Sequence, residues 1–287
     1  MERLMKYLRS PWYFFLALTP TGRLGLLISL FWVVIALFGQ YVAPYSINDI
    51  GAGPMFEGIS AHYWLGTDYL GRDILTRIIY GSRYSIGLAL TAAILASMVG
   101  VLLALLAAVT GRWVEEVLGR INDALLVLPG KVLSLMIVAV FGSSLPMLII
   151  TAVFTYWPGA YRIAFSLASQ LRNMDYVRAS KLRGESRWYL AVQDILPNMI
   201  HSMLTDFGLR FVYIVLLLSG LSFLGLGVQP PQADWGSLVR ENLQGLFDGS
   251  PAILMPAIAI ASLTIGVNLF IDSLQNMRPL SRAEEGV

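Results

Sequence analysis

From Tyr84 to Gly111 the chain runs for 28 residues without an Asp, Glu, Lys or Arg. A helix needs roughly 20 apolar residues to cross a bilayer, so this run is long enough. Small residues recur through it (Gly87, Ala89, Ala92, Ala93, Ala96, Ser97, Gly100, Ala104), a pattern that suits close helix–helix contact more than contact with lipid. Composition points the same way. Only 13% of residues are charged and 56% are hydrophobic, whereas soluble domains carry about 25% charge. The expected class is all-α, a polytopic membrane protein. A β-barrel would show alternating segments of about ten residues rather than solid apolar runs.

Six spans are predicted, at about 24–42, within 84–111, and at about 124–141, 145–161, 211–228 and 251–271. An even number places both termini on one side. Residues 1–23 hold Arg3, Lys6, Arg9 and Arg23 around Trp12-Tyr13-Phe14-Phe15 and read as an interfacial segment. A signal peptide fits less well, because Pro20 and Arg23 stand where small cleavage-site residues belong. Residues 24–83 form the first span and an outer loop, 84–275 the main membrane domain with a polar loop at 172–200, and 276–287 a tail. With the termini inside, fourteen Lys and Arg fall on inner segments. The outer ones hold four: Arg72, Arg77, Arg83 and Arg240. That asymmetry makes the termini and the 172–200 loop cytoplasmic.

Within that loop, residues 175–198 (DYVRASKLRGESRWYLAVQDILPN) form a basic island. Its first part reads as a short helix over 175–182, and Gly184 sits where a left-handed helix end wants glycine. Ser186 suits an N-cap. Trp188, Ala191, Val192, Ile195 and Met199 then share one helical face. Arg187, Gln193 and Asp194 face away, and Pro197 limits continuation. Helix, glycine turn and helix make a compact knob for a groove on a partner. The competing reading is a basic loop that only sets topology.

Other chemistry is thinly represented. There are no cysteines, and His62 and His201 are far apart, so neither thiolate chemistry nor a histidine metal site is expected. A net charge of +2 gives no case for nucleic acid. Gly130-Lys131 fails as a phosphate loop, with Leu125 in place of the first glycine and Val132 in place of Ser or Thr. Residues 66–73 lack the glutamate and ligand spacing of an EF-hand. They read as a turn with Asp–Arg pairing, tied to the top of span two. Pro230-Pro231 with Trp235 suggests a rigid outer loop. Asp68, Arg72, Asp73, Gln229 and Trp235 are candidates for contact with an external partner, beside a purely structural reading. Lys131 falls near the middle of span three, where a charge needs a cavity or a partner. It is a candidate for lining a path and meeting a substrate carboxylate, with helix pairing or snorkelling as alternatives. Asp206 and Arg210 are spaced for a same-helix pair. No catalytic constellation is visible, so an enzyme is not expected.

Three stretches resemble a known family. Ala179-Ser180, Gly184 and Leu196-Pro197 resemble the EAA loop of importer permeases of the ATP-binding-cassette class, with Arg178, Ser180 and Asp194 departing from that pattern. Residues 65–73, continuing to Tyr80-Gly81-Ser82-Arg83, resemble the segment before the second span of the "C" permeases of dipeptide, oligopeptide and nickel importers. Residues 222–231, with Trp235-Gly236, resemble the loop after their fifth span. The resemblance implies a six-span type I importer permease (MetI-like) fold in a bacterial or archaeal cytoplasmic membrane. It implies a homologous B-type permease as partner, two ATPase subunits that bind ATP and Mg, and an extracytoplasmic solute-binding protein. It also implies docking of the ATPases on Arg178, Ala179, Ser180, Gly184, Glu185, Ser186, Arg187, Trp188 and Tyr189. The expected cargo is a di- or oligopeptide, with nickel chelates or opines as alternatives. An exporter on the same architecture stays open. An ion-gradient transporter would bury acids in its spans and show inverted repeats, which are not seen.

Overall fold

The computed structural model describes residues 15–47, 49, 51 and 53–276. The first part of the predicted interfacial segment and nearly all of the predicted tail lie outside the described residues. Among those described, the regular structure is helical, apart from one isolated antiparallel bridge between Thr67 and Asp73. The helices are α1 (Pro20–Phe38), α2 (Ile74–Thr110), α3 (Arg112–Val127), α4 (Gly130–Phe141), α5 (Leu145–Leu171) and α6 (Asp175–Leu182). After these come α7 (Arg187–Tyr189), a π-helix at Leu190–Ile195, α8 (Leu196–Phe223), α9 (Trp235–Glu241) and α10 (Leu254–Asn276).

Four of these are long and apolar enough to cross a membrane: Pro20–Tyr41, Ile74–Thr110, Arg187–Phe223 and Leu254–Asn276. A fifth candidate is α3 and α4 together, bent by 87° at their junction. The 27 residues of α5 extend about 40 Å at 1.5 Å per residue, but Tyr156, Trp157, Pro158, Tyr161 and Arg162 dilute its apolarity. The array is compatible with the expected six-span fold, with two differences of boundary. Span two starts at Ile74 rather than near 84, because the Asp73 carboxylate accepts from the Thr76 N–H at 2.7 Å and caps the helix. Arg77 and Arg83 are therefore helical. Span three is not one straight helix, and the charged residues before it belong to α3. Pro129 holds Leu128 extended (ψ 129°), which ends α3 and produces the bend.

The chain divides into two compact units, one of residues 1–83 with 241–287 and one of residues 84–240. In the first, α1 lies along α10 through small residues. A Cβ on Gly25 would meet the Gly266 carbonyl oxygen at 2.5 Å. The Trp32 indole N–H donates to Ser262 at 2.9 Å and the Thr19 N–H to Ser273 at 2.9 Å. The opposite side of α1 exposes Leu24, Leu27, Leu30, Phe31 and Leu37, as a lipid-facing helix does.

In the second unit, Ala89, Ala92, Ala93, Ala96 and Ala104 of α2 are fully buried, which accounts for the small-residue pattern. A Cβ on Gly100 would collide with the Ala160 side chain and lie 2.7 Å from the Tyr161 nitrogen, so α2 and α5 touch at backbone range. The expected Asp206–Arg210 pair forms twice over, at 2.7 and 2.8 Å. Arg210 also donates to the Tyr156 carbonyl at 2.8 Å. That bond joins α8 to α5 beside Pro158, which itself has no N–H to give.

Candidate functional site

The 175–198 island folds as a helix–turn–helix knob. Asp175 stands in the first turn of α6 and Lys181 in the last, each matching the helix dipole. Gly184 has φ +83°. The Glu185 N–H reaches the Ser180 carbonyl at 3.2 Å and the Gly184 N–H the Lys181 carbonyl at 3.1 Å. This is the paired Schellman bonding that a left-handed glycine permits. The Ser186 hydroxyl then accepts from the Tyr189 N–H at 3.2 Å and starts α7.

Beyond α7 the helix widens. The Leu196 N–H bonds the Ala191 carbonyl, an i→i−5 step. The extra residue in that turn shifts the phase of everything before it. The buried face is Leu190, Ala191, Ile195 and Met199, and Trp188, expected on it, is 70% exposed. Asp194, expected to face away, is half-buried, and its Oδ2 has no hydrogen-bond partner among the described residues. Nor does Pro197 end the helix. It occupies the first turn of α8, where a missing N–H is tolerated.

The knob sits on a packed base. Val177, Leu190, Ala191, Ile195 and Met199 join one apolar cluster with Ala104, Leu105, Ala107 and Ala108 of α2 and Tyr161, Ala164 and Ala168 of α5. Arg178, Ala179, Gly184, Ser186, Arg187, Trp188 and Tyr189 are exposed, Glu185 is half-buried, and Ser180 is buried. Leu182 is 89% exposed at the tip. The outward face is therefore basic, with large apolar side chains exposed on it. At its edge, Asn198 Nδ2 donates to the Tyr176 oxygen at 3.2 Å and to the Asp194 carbonyl at 2.7 Å. Burial, aided by the Asp194 charge, raises the Tyr176 phenol above its ordinary value, and the Asn198 bond opposes the shift.

The other candidates divide. Asp68, Arg72 and Asp73 are brought together, and the expected Asp–Arg pairing is present. Asp68 is fully buried and accepts from the Leu70 and Arg72 N–H groups at 2.8 and 2.9 Å. It also accepts from Arg72 Nε at 2.7 Å and Arg77 at 2.8 Å. Sequence reasoning missed the fourth member, Glu241, which accepts from Arg77 at 2.7 Å and Arg72 at 3.3 Å. It lies 164 residues from Arg77, beyond any local signal. Asp73 caps α2, and Trp235 is fully buried at the start of α9, its N–H donating to Ser85 at 2.9 Å. Asp68, Asp73 and Trp235 are thus buried and hold their own loops. Gln229 is exposed, although its amide donates to the Gly225 and Gly227 carbonyls at 3.1 and 2.9 Å. Lys131 lies at the junction of the bent α3–α4 pair rather than within a straight span. It is exposed at the second position of α4, just beyond the Pro129 bend.

Comparison with known families matches residues 100–277 to the one described as "Binding-protein-dependent transport system inner membrane component". The chain belongs to that family. The matched region of this permease starts within α2 and contains α3 to α9, the whole knob and α10. Similar curated proteins include the glutathione transport system permease protein GsiD of Pectobacterium atrosepticum, 30% identical over 94% of this chain and 91% of its own length. The dipeptide transport system permease protein DppC of Alkalihalophilus pseudofirmus is 32% identical over 88% and 83%. The nickel transport system permease protein NikC of Escherichia coli K12 is 31% identical over 92% and 95%.

Proposed function

We propose that this permease is one subunit of an ATP-driven importer of di- or oligopeptides, and that ATP hydrolysis on separate ATPase subunits drives it through the knob. The observation that carries this reading is the build of the knob. A capped helix–glycine–helix stands on a packed base and leaves Leu182 and Trp188 exposed, with Arg178, Arg183 and Arg187 exposed on the same segment. A surface of that kind fits a groove on a protein partner. A second, B-type permease completes the path, and an extracytoplasmic binding protein delivers cargo. The ATPases hold ATP and Mg, and the excess of Lys and Arg supports a cytoplasmic side for the knob and both termini. Motion of the docked ATPases biases the spans between two openings, a ligand-driven two-state shift. Peptide cargo is favoured by relatives named for dipeptide and glutathione transport, and a relative named for nickel transport supports a metal chelate as the alternative. Lys131, beside the bend, is the residue we assign to a cargo carboxylate.

Gly184 provides the test. Among the described residues an added Cβ there meets nothing within 4 Å, so a large side chain projects toward the docked partner. Gly184→Ala carries the same left-handed strain of about 1–2 kcal/mol without the bulk. Expected is that Gly184→Trp complexes assemble but hydrolyse ATP without importing a labelled dipeptide, while Gly184→Ala complexes remain coupled. Normal coupled uptake by Gly184→Trp would remove the docking assignment.

A further inference from the structure

Three helix ends meet at one guanidinium. Arg172 is the C-cap of α5, three residues before the knob begins. It donates to the Glu115 carboxylate at 2.8 Å and to the Ala108 carbonyl at 3.3 Å. Ala108 lies in the last turn of α2, whose carbonyls lack intrahelical donors. Glu115 lies in the first turn of α3, where the helix dipole favours an anion, as the end of α5 favours a cation. The Arg172 and Glu115 side chains are 31% and 30% exposed, so the pair is partly withdrawn from solvent.

Besides this contact, α3 packs along α5 and buries Asn122. Gly111 joins α2 to α3 at φ +128°, with open space around it. Among the described residues, α3 adds Leu118 alone to the apolar cluster under the knob and leaves Trp113, Val117 and Ile121 exposed. A displacement of the knob passes directly into α8, which continues from α7 and the π-helix. Among the described residues, no hydrogen bond or ion pair joins the knob to α3 itself, and Leu118 is its packing contact with the cluster under the knob.

We propose that Arg172 is the positioning residue that makes the α2–α3 corner travel with the knob. Through it, movement imposed on the knob reaches α3, the Pro129 bend and Lys131 on α4, as well as α8. This inference rests on the docking reading above, and its test separates the two.

The chain is free of cysteine, so spin labels can be placed at Val117→Cys on α3 and Gln193→Cys on the π-helix without other changes. The assembled transporter is measured by pulsed electron paramagnetic resonance without nucleotide and after trapping with ATP and vanadate. Expected is one unchanged distance population in the labelled parent. With Arg172→Gln, vanadate should produce a second population while the ATPases co-purify in undiminished yield. Arg172→Lys, which keeps a donor and a charge, and the swap Arg172→Glu with Glu115→Arg should each restore the single population. A single population in Arg172→Gln, or two in the labelled parent, overturns the proposal. If the parent captures no ATPase, the docking reading itself fails and the inference falls with it.

Discussion

Replacing Asp68 with asparagine keeps the shape of the side chain and removes its charge. The Asn oxygen can still accept from the Leu70 and Arg72 N–H groups, so the turn itself survives. What is lost is one of the two carboxylates facing the guanidiniums of Arg72 and Arg77, leaving Glu241 alone against both. Asp68 is fully buried and Arg77 is 5% exposed, so water cannot replace the missing charge. Removing one partner of a buried ion pair costs about 3–5 kcal/mol. The retained backbone bonds place Asp68→Asn near 3, or roughly a hundredfold in the folding equilibrium. The assay is unfolding in mixed micelles with increasing dodecyl sulfate. Its internal reference is Glu116→Gln, whose partner Arg120 is 3.3 Å away and whose pair is 79% and 58% exposed. Such a surface pair is worth at most about 0.5 kcal/mol. If Asp68→Asn shifts the transition no further than Glu116→Gln, the buried cluster does not hold the 66–73 turn.

Gly100→Val should destabilise the chain in the same assay by about 1–3 kcal/mol, because its side chain has no room against Ala160 and Tyr161; an unchanged transition would contradict the α2–α5 contact. Asp234, buried before α9, has its carboxyl raised above the ordinary value by desolvation, against hydrogen bonds from Ser237 and Ser222. The folded chain therefore binds that proton more tightly than the unfolded chain. Stability should rise as pH falls from above the raised value toward the ordinary carboxylate range. Asp234→Asn should flatten that part of the profile, and an identical slope in the variant would refute the assignment.

The knob's turn was legible because its chemistry is written in consecutive residues. Gly184 and Ser186 each determine a local backbone geometry, and both behave as their neighbours predict. The small-residue run of α2 likewise specifies a contact face without naming the partner. Trp188 was misplaced because ordinary helical periodicity carries no mark of a π-turn. One widened turn at 190–195 is enough to rotate the residues before it out of the buried face. The break beside Lys131 is hidden by its apolar neighbours, although Pro129 supplies the cause. Glu241 and Glu115 pair with arginines 164 and 57 residues away. Their roles depend on tertiary proximity, which a single sequence does not encode in any window.

Docking is tested most directly by crosslinking from single cysteines in membranes that contain the assembled transporter. Leu182 at the tip of the knob is 89% exposed, and Phe247 in the loop before α10 is 91% exposed, so both accept a photoactivatable label. Expected is that the label on Leu182→Cys captures an ATPase subunit and the label on Phe247→Cys captures none. Capture of the ATPase from Phe247→Cys but not from Leu182→Cys would contradict both the docking role of the knob and its cytoplasmic side.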